Sequence, residues 1–162
     1  MKKIPLSQGK YALVDDEDFE SLSRYSWHVS WQSERHFKVT RSEMVDGRIR
    51  KFSMHREIMR APCGKEVDHI NHNTLDNRKE NLRICTRAEN MWNSRIPSTN
   101  TSGLKGVSWS KQRNKWLVHL RVRGETRHLG YFSTKKAARQ KYEKSTRLLH
   151  GRFALGTTPC EA

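Results

Sequence analysis

Cysteine, long apolar runs and acidic residues are all in short supply in this 162-residue chain, and each shortage narrows what it can be. Cys63, Cys85 and Cys160 are odd in number, widely spaced and without a C-x-x-C pair. That excludes a disulfide framework and gives no zinc ribbon, so the three read as buried or incidental thiols. There is no apolar run of the roughly 18 residues a membrane helix needs. Met1-Lys2-Lys3 leads into polar sequence instead of an apolar leader core. No segment sets an apolar face against a basic one over several turns, so a membrane partner is not expected and a cytoplasmic location is. Apolar residues make up 34% of the chain, too little for one large core, and small modules are the better expectation.

Positive charge is what the chain has in excess. The net charge is +15 and it is unevenly placed: residues 1–101 carry 18 Lys+Arg against 14 Asp+Glu, residues 102–162 carry 14 against 3. A concentrated cationic segment is the footprint of a polyanion partner, because each phosphate it neutralises releases condensed counterions. Double-stranded DNA is the leading partner; a basic soluble surface is the plain alternative.

The first 53 residues alternate β-like runs with turns: Lys10–Val14, Trp27–Trp31, His36–Ser42 and, after Asp46-Gly47, "RIRKF". Between the first two, acidic residues followed by Phe19, Leu22 and Tyr25 at helical spacing predict a short helix. This part reads as a small α+β platform. "MHREIMRAP" predicts a helix with Ile58 and Met59 inward, stopped by Pro62. Glu66–Ile70 and Asn81–Cys85 are strand candidates around a turn-rich connection, and Thr86-x-x-Glu89 is a capping box that starts a helix through Asn90 and Trp92. Residues 95–103 look like a polar linker. The last third offers strands "KGVSWS", "KWLVHLRV" and "TRHLGYF" and a helix from Ser133 or Thr134 to Gly151, with Ala138, Tyr142 and Leu149 on one stripe. Strand alternation sends Trp116, Val118, Leu120 and Val122 one way and Leu117, His119, Arg121 and Arg123 the other, so one sheet face packs on the helix and the other is cationic. Trp109 and Trp116 are expected in the core, and Lys135, Lys136 and Arg139 on a solvated helix face.

The stretch "VDHINHNTLDNRKENLRICTRAENMWN" (67–93) holds the chemistry. Phosphodiester hydrolysis needs an activated water, neutralised transition-state charge and help for the departing oxygen, which one imidazole and one hard cation can supply. Asp and Asn oxygens suit Mg²⁺ or Mn²⁺. Asp68 and His69 are adjacent, so on a regular strand they face opposite ways, and a shared site calls for a bend or bulge.

Residues 55–93 resemble the HNH nuclease motif of phage and intron-encoded homing endonucleases. Residues 102–156 resemble the DNA-binding domain of Apetala and ethylene-response-factor proteins, and the opening "IPLSQGKYALVDDED" is similar to the start of such fusions. The resemblance implies an α+β chain with a β-rich part (1–53), a ββα-metal nuclease centre (54–94), a linker (95–101) and a three-stranded antiparallel sheet on one helix (102–156). It implies His69 as general base, Asp68 and Asn90 as ligands of a divalent ion, Mg²⁺ or Mn²⁺, and Asn81 as the residue that orders the loop. His72, Asn77, Arg78 and Asn93 are possible phosphate or outer contacts, and His55 a packing or substrate-edge residue. On the last module it implies a DNA-facing set of Lys105, Ser108, Arg113, His119, Arg121, Thr126 and His128, and alternation adds Arg123. The function implied is a metal-dependent endonuclease that nicks duplex DNA as a monomer, with no small-molecule cofactor. Rivals are a non-catalytic DNA-binding regulator on a residual nuclease scaffold and an RNA-binding accessory protein.

Overall fold

The computed structural model describes residues 1–33, 36–94, 96–97, 99–122 and 124–153; Arg123 and Cys160 from the expectations above lie outside the described residues. The chain is a mixed α+β protein and divides into two compact units, Met1–Arg87 and Ala88–Ala162.

The first unit opens with an antiparallel hairpin of β1 (Lys2–Pro5) and β2 (Tyr11–Val14), in which Ile4, Ala12 and Val14 point into the core. β1 had no sequence signal: two lysines and a terminal proline surround the single inward Ile4. Helix α1 (Asp16–Ser23) begins with three acidic residues that suit the positive end of its dipole. It buries Leu22, whose carbonyl accepts a 2.8 Å bond from the Trp27 indole. β3 (His28–Ser33), β4 (His36–Val45) and β5 (Arg48–Ser53) form an antiparallel sheet in that order. Asp46 and Gly47 both take positive φ (50° and 71°), the two-residue turn whose twist matches a hairpin.

Helix α2 (Met54–Met59) buries Met54 and Ile58, four residues apart, where the sequence suggested Ile58 and Met59. It ends at Arg60 in the left-handed conformation, before Pro62 is reached. Met54 and Ile58 meet Val39, Val67 and Leu82 in one core, so the sheet, α2 and the next hairpin share their apolar faces. That hairpin pairs β6 (Glu66–His69) with β7 (Leu82–Cys85).

Helix α3 (Arg87–Asn93), which from Ala88 onward opens the second unit, follows Thr86 directly as the capping-box spacing predicts. β8 (Val107–Ser110), β9 (Lys115–Val122) and β10 (Glu125–Phe132) form an antiparallel sheet with β9 central, and α4 (Lys135–His150) packs on it. Val118, Leu120 and Val122 are buried in the alternation read from the sequence. Thr134 is the N-cap, its Oγ1 accepting from the Ala137 amide at 3.2 Å.

Two expectations give way here, and a third gains detail. Leu149 is 40% exposed, because the face of α4 turned to the sheet ends in Ser145, Thr146 and His150. Trp109 is 43% exposed and lies edge-on to Trp116, ring centroids 5.1 Å apart, instead of entering the core. The end of the polar stretch 95–103 is a built turn: Asn100 Oδ1 accepts from the Gly103 amide and the Ser102 hydroxyl, and its Nδ2 donates to the Leu104 carbonyl.

Gly106 has φ +67°, and a Cβ there would lie 2.2 Å from the Tyr142 ring and 2.5 Å from the His119 carbonyl oxygen. The second of these is backbone and has little room to move. Gly106→Ala is therefore expected to cost the second unit about 2–4 kcal/mol, read as a lowered denaturant midpoint of the full chain.

Candidate functional site

β6 and β7 pair in strict register, Asp68 opposite Arg83 and His69 opposite Leu82, with no shift along the ladder. The bend or bulge that a shared Asp68/His69 site was expected to need is therefore not in the strand pairing, and the two side chains leave on opposite faces. On one face Asp68 and Arg83 are both buried, and the guanidinium donates to Asp68 Oδ2 through Nε (2.9 Å) and Nη2 (2.7 Å). A buried carboxylate needs such a partner, and a directly opposed cross-strand position supplies one. The two-point grip also fixes the carboxylate rotamer.

On the other face His69 shares its side of the strand with Val67. The His55 ring, from α2, lies edge-on to the His69 ring with centroids 5.2 Å apart. His69 Nε2 sits 3.4 Å from Asn77 Oδ1. Asn77 is 0% exposed, and which end of its amide faces the imidazole is set by Nδ2, which donates to the Thr74 carbonyl at 3.3 Å. An amide oxygen only accepts, so in this contact Nε2 is the donor, which is the tautomer with its basic nitrogen at Nδ1. Burial lowers the His69 pKa below its ordinary value, opposed by the Asn77 hydrogen bond and by the Asp68 and Asp76 charges. The imidazole is thus neutral at pH 7, the form a general base requires.

The connection 70–81 that carries Asn77 is held by polar side chains. Asn81 Oδ1 accepts from the Asn71 amide at 3.0 Å, and its Nδ2 donates to the Asp76 carbonyl at 2.7 Å. Asp76, also buried, takes Nε and Nη2 of Arg78 on its two oxygens at 2.8 Å each and the Asn71 side-chain amide at 3.1 Å. The Arg78 guanidinium holds the Asp76 carboxyl below the usual range. The loop then docks on the edge of β2: the Leu13 amide donates to the Leu75 carbonyl, and the Asn77 amide donates to the Leu13 carbonyl, both at 2.8 Å. From the sequence Asn81 is the loop-ordering residue and Asn77 an outer contact, and Asp76 does not stand out. The motif "LDN" was the available signal; nothing in the sequence pointed to Leu13.

Asn90 lies on α3 in the second unit, and that helix is tied down within the unit at two points. Lys105 Nζ donates to the carbonyls of Met91 (3.0 Å), Trp92 (2.9 Å) and Ser94 (2.8 Å), which closes the helix C-terminus. The Trp92 ring stacks on His150 at 4.0 Å and 4°, and His150 Nε2 donates to the Arg121 carbonyl at 3.1 Å. Lys105 is thus placed differently from the DNA-facing expectation: its ammonium is spent on backbone carbonyls.

The face of the second sheet turned away from α4 presents the remaining residues. His119 stands opposite His128, Arg121 opposite Thr126 and Ser108 opposite Leu117. The Arg113 guanidinium lies over the Tyr131 ring, 4.7 Å from its centroid. Burial lowers the His119 pKa, and His128 lowers it further.

Burial, with His69, Lys38 and Arg56 nearby, pushes the His55 imidazole down to about 3. A histidine with a depressed folded pKa contributes stability that is complete above its unfolded value of 6.5 and is lost as pH falls toward the folded value. Going from pH 6.5 to pH 5 should cost the wild type on the order of 2 kcal/mol from this group. Thermal unfolding followed at pH 7 and pH 5 should therefore show a smaller acid loss in His55→Phe, which keeps a ring against His69.

A family model described as HNH endonuclease matches residues 60–92, the segment from the end of α2 through α3. Protein 3.8 of Escherichia phage T7 is 39% identical over 93 residues, covering 57% of this chain and 76% of that protein. A protein named as an uncharacterized HNH endonuclease of Acanthamoeba polyphaga mimivirus is 27% identical over 153 residues, covering 91% of this chain and 74% of that one. No solved structure matches the chain. With a buried imidazole seated inside the matched segment, the chain carries an HNH endonuclease domain.

Proposed function

We propose that the protein is a metal-dependent endonuclease of the homing type that hydrolyses phosphodiester bonds of duplex DNA, with His69 as the general base. The observation that carries this reading is the Asn77 side chain against His69 Nε2, because it leaves the basic lone pair on Nδ1 of a neutral ring. Nδ1 takes a proton from the water that attacks phosphorus, and the imidazolium shares its remaining Nε2 proton with Asn77 Oδ1. Asn81 and Asp76 act one step back, by keeping Asn77 where it is.

Among the described residues no three His, Cys, Asp or Glu side chains converge. A cation bound by this motif would draw on amide and phosphate oxygens as well as a carboxylate. Asp68 and Asn90 are the hard oxygen donors the motif supplies, and they fit Mg²⁺ or Mn²⁺ better than a softer ion. Arg83 grips Asp68 Oδ2 and so holds the carboxylate in one rotamer. When bound, such an ion supplies charge neutralisation for the phosphorane-like transition state and the departing oxygen.

The second unit is the DNA anchor in this reading, an Apetala-like sheet and helix. Arg113, His119, Arg121 and His128 make its contact face, Arg121 being able to bond guanine in two places. The sheet-and-helix arrangement and the excess of cations in residues 102–162 support it. One base per chain cuts one strand, so the monomer nicks, and the place of action is the cytoplasm of the cell that holds the DNA.

His69→Ala should bind duplex DNA with unchanged affinity and lose nicking of supercoiled plasmid in Mg²⁺ by a factor of about 10²–10⁴. Undiminished nicking would remove His69 from the chemistry. Intact binding with no nicking by the wild type, at any Mg²⁺ or Mn²⁺ concentration, would favour the non-catalytic regulator. Asn77→Ala, checked to be folded, should lower kcat by about tenfold or more with KM for DNA held, since it frees the ring without touching substrate.

A further inference from the structure

The sheet β3-β4-β5 has a second face that the nuclease chemistry does not use. Its register assigns the two faces residue by residue. Val29, Val39, Arg41 and Phe52 look inward: Val29 and Val39 are buried, and Arg41 lies over the Tyr25 and Phe52 rings at 3.9 and 4.4 Å. The other face carries His28 and Ser30 from β3, Lys38, Thr40, Ser42 and Met44 from β4, and Ile49, Lys51 and Ser53 from β5. Among the described residues, the strand positions of this face hold no carboxylate.

Beyond Thr40 the third strand stops, and β4 and β5 run on as a two-stranded ribbon from Arg41–Phe52 to the Asp46-Gly47 turn. Five residues of strand extend about 16 Å. Near its tip, Met44 and Ile49 stand directly opposite each other on the carboxylate-free face, 65% and 69% exposed. Two large apolar side chains side by side in water form a patch that a partner would cover. The acids of the ribbon are already paired, Glu43 with Arg41 and Asp46 with Arg50. Arg48 and Lys51 are exposed cations.

We propose that the β4-β5 ribbon is a second duplex-DNA contact, entering a groove with Met44 and Ile49 against bases and Lys51 against phosphate. This rests on the duplex-DNA reading above. The B-DNA major groove, about 12 Å wide, admits a two-stranded β-ribbon, and exposed apolar side chains find thymine methyl groups there. Charge sign selects a polyanion over an apolar protein partner. The same face leads toward the base: Lys38, on the strand that continues into the ribbon, is close enough to His55 to disfavour its charged form, and His55 packs on His69.

The test uses the full chain and a labelled 30-base-pair duplex in a binding titration across a salt series, with Met44→Ser/Ile49→Ser and Lys51→Gln beside the wild type. All positions are exposed, so unchanged melting midpoints are expected. Lys51→Gln should weaken binding several-fold and reduce the salt slope by about one, and the double variant should weaken it about tenfold with the slope kept. Wild-type affinity in both variants overturns the ribbon contact while leaving the duplex-DNA reading intact. Failure of the wild type itself to bind duplex overturns both. An equal loss of affinity for single-stranded RNA and duplex overturns the groove assignment.

Discussion

The contact between a buried asparagine and a buried histidine depends on a constraint that shapes the whole first unit: polar groups in an irregular loop cannot be taken out of water without partners. Loop 70–81 meets that constraint with its own side chains. Asn81 ties its two ends, Asp76 takes the guanidinium of Arg78 and an amide of Asn71, and the backbone of Leu13 accepts the edge of the loop as if it were another strand. The β1-β2 hairpin, which carries no reactive group, thereby becomes part of what orients the base. A small core and a dense polar network together hold one imidazole still.

Much of this architecture was legible beforehand. Alternation in β9 put Val118, Leu120 and Val122 inside, the Thr86-x-x-Glu89 spacing started α3, and the Asp-Gly pair turned β4 into β5. These signals are local and have a fixed period or a fixed turn geometry. What could not be read depended on partners distant in sequence. β1 is a strand because β2 offers it a ladder, although its own residues, Lys2 to Pro5, argue otherwise. Lys105 reads as a DNA-facing residue and its ammonium caps α3, because nothing in the sequence announces three carbonyls eleven to fourteen residues back. Trp109 and Leu149 carry apolar side chains at plausible core spacing yet lie partly in water, His150 taking the buried position at the end of α4.

The site shows the same division. His69, Asp68 and Asn81 were nameable from a motif, while Asn77 was nameable only as an outer contact and Arg83 not at all, since what they do is set by the β6-β7 register and by the path of the loop. α3 belongs to the nuclease motif by sequence, but its C-terminus and Trp92 are fixed by Lys105 and His150 of the second unit. A sequence motif and a folding unit therefore do not share a boundary in this chain, and a cut made at the motif's end would strip α3 of its supports.

The central claim is that Asn77 holds His69 as the Nε2-protonated neutral tautomer. Nitrogen-15 NMR of the histidine-labelled chain, with His69 assigned by its absence in His69→Ala, reads the tautomer directly. The account predicts a protonated Nε2 and an unprotonated Nδ1 for His69 at pH 7. A protonated Nδ1, or an equal mixture of the two tautomers, would contradict it.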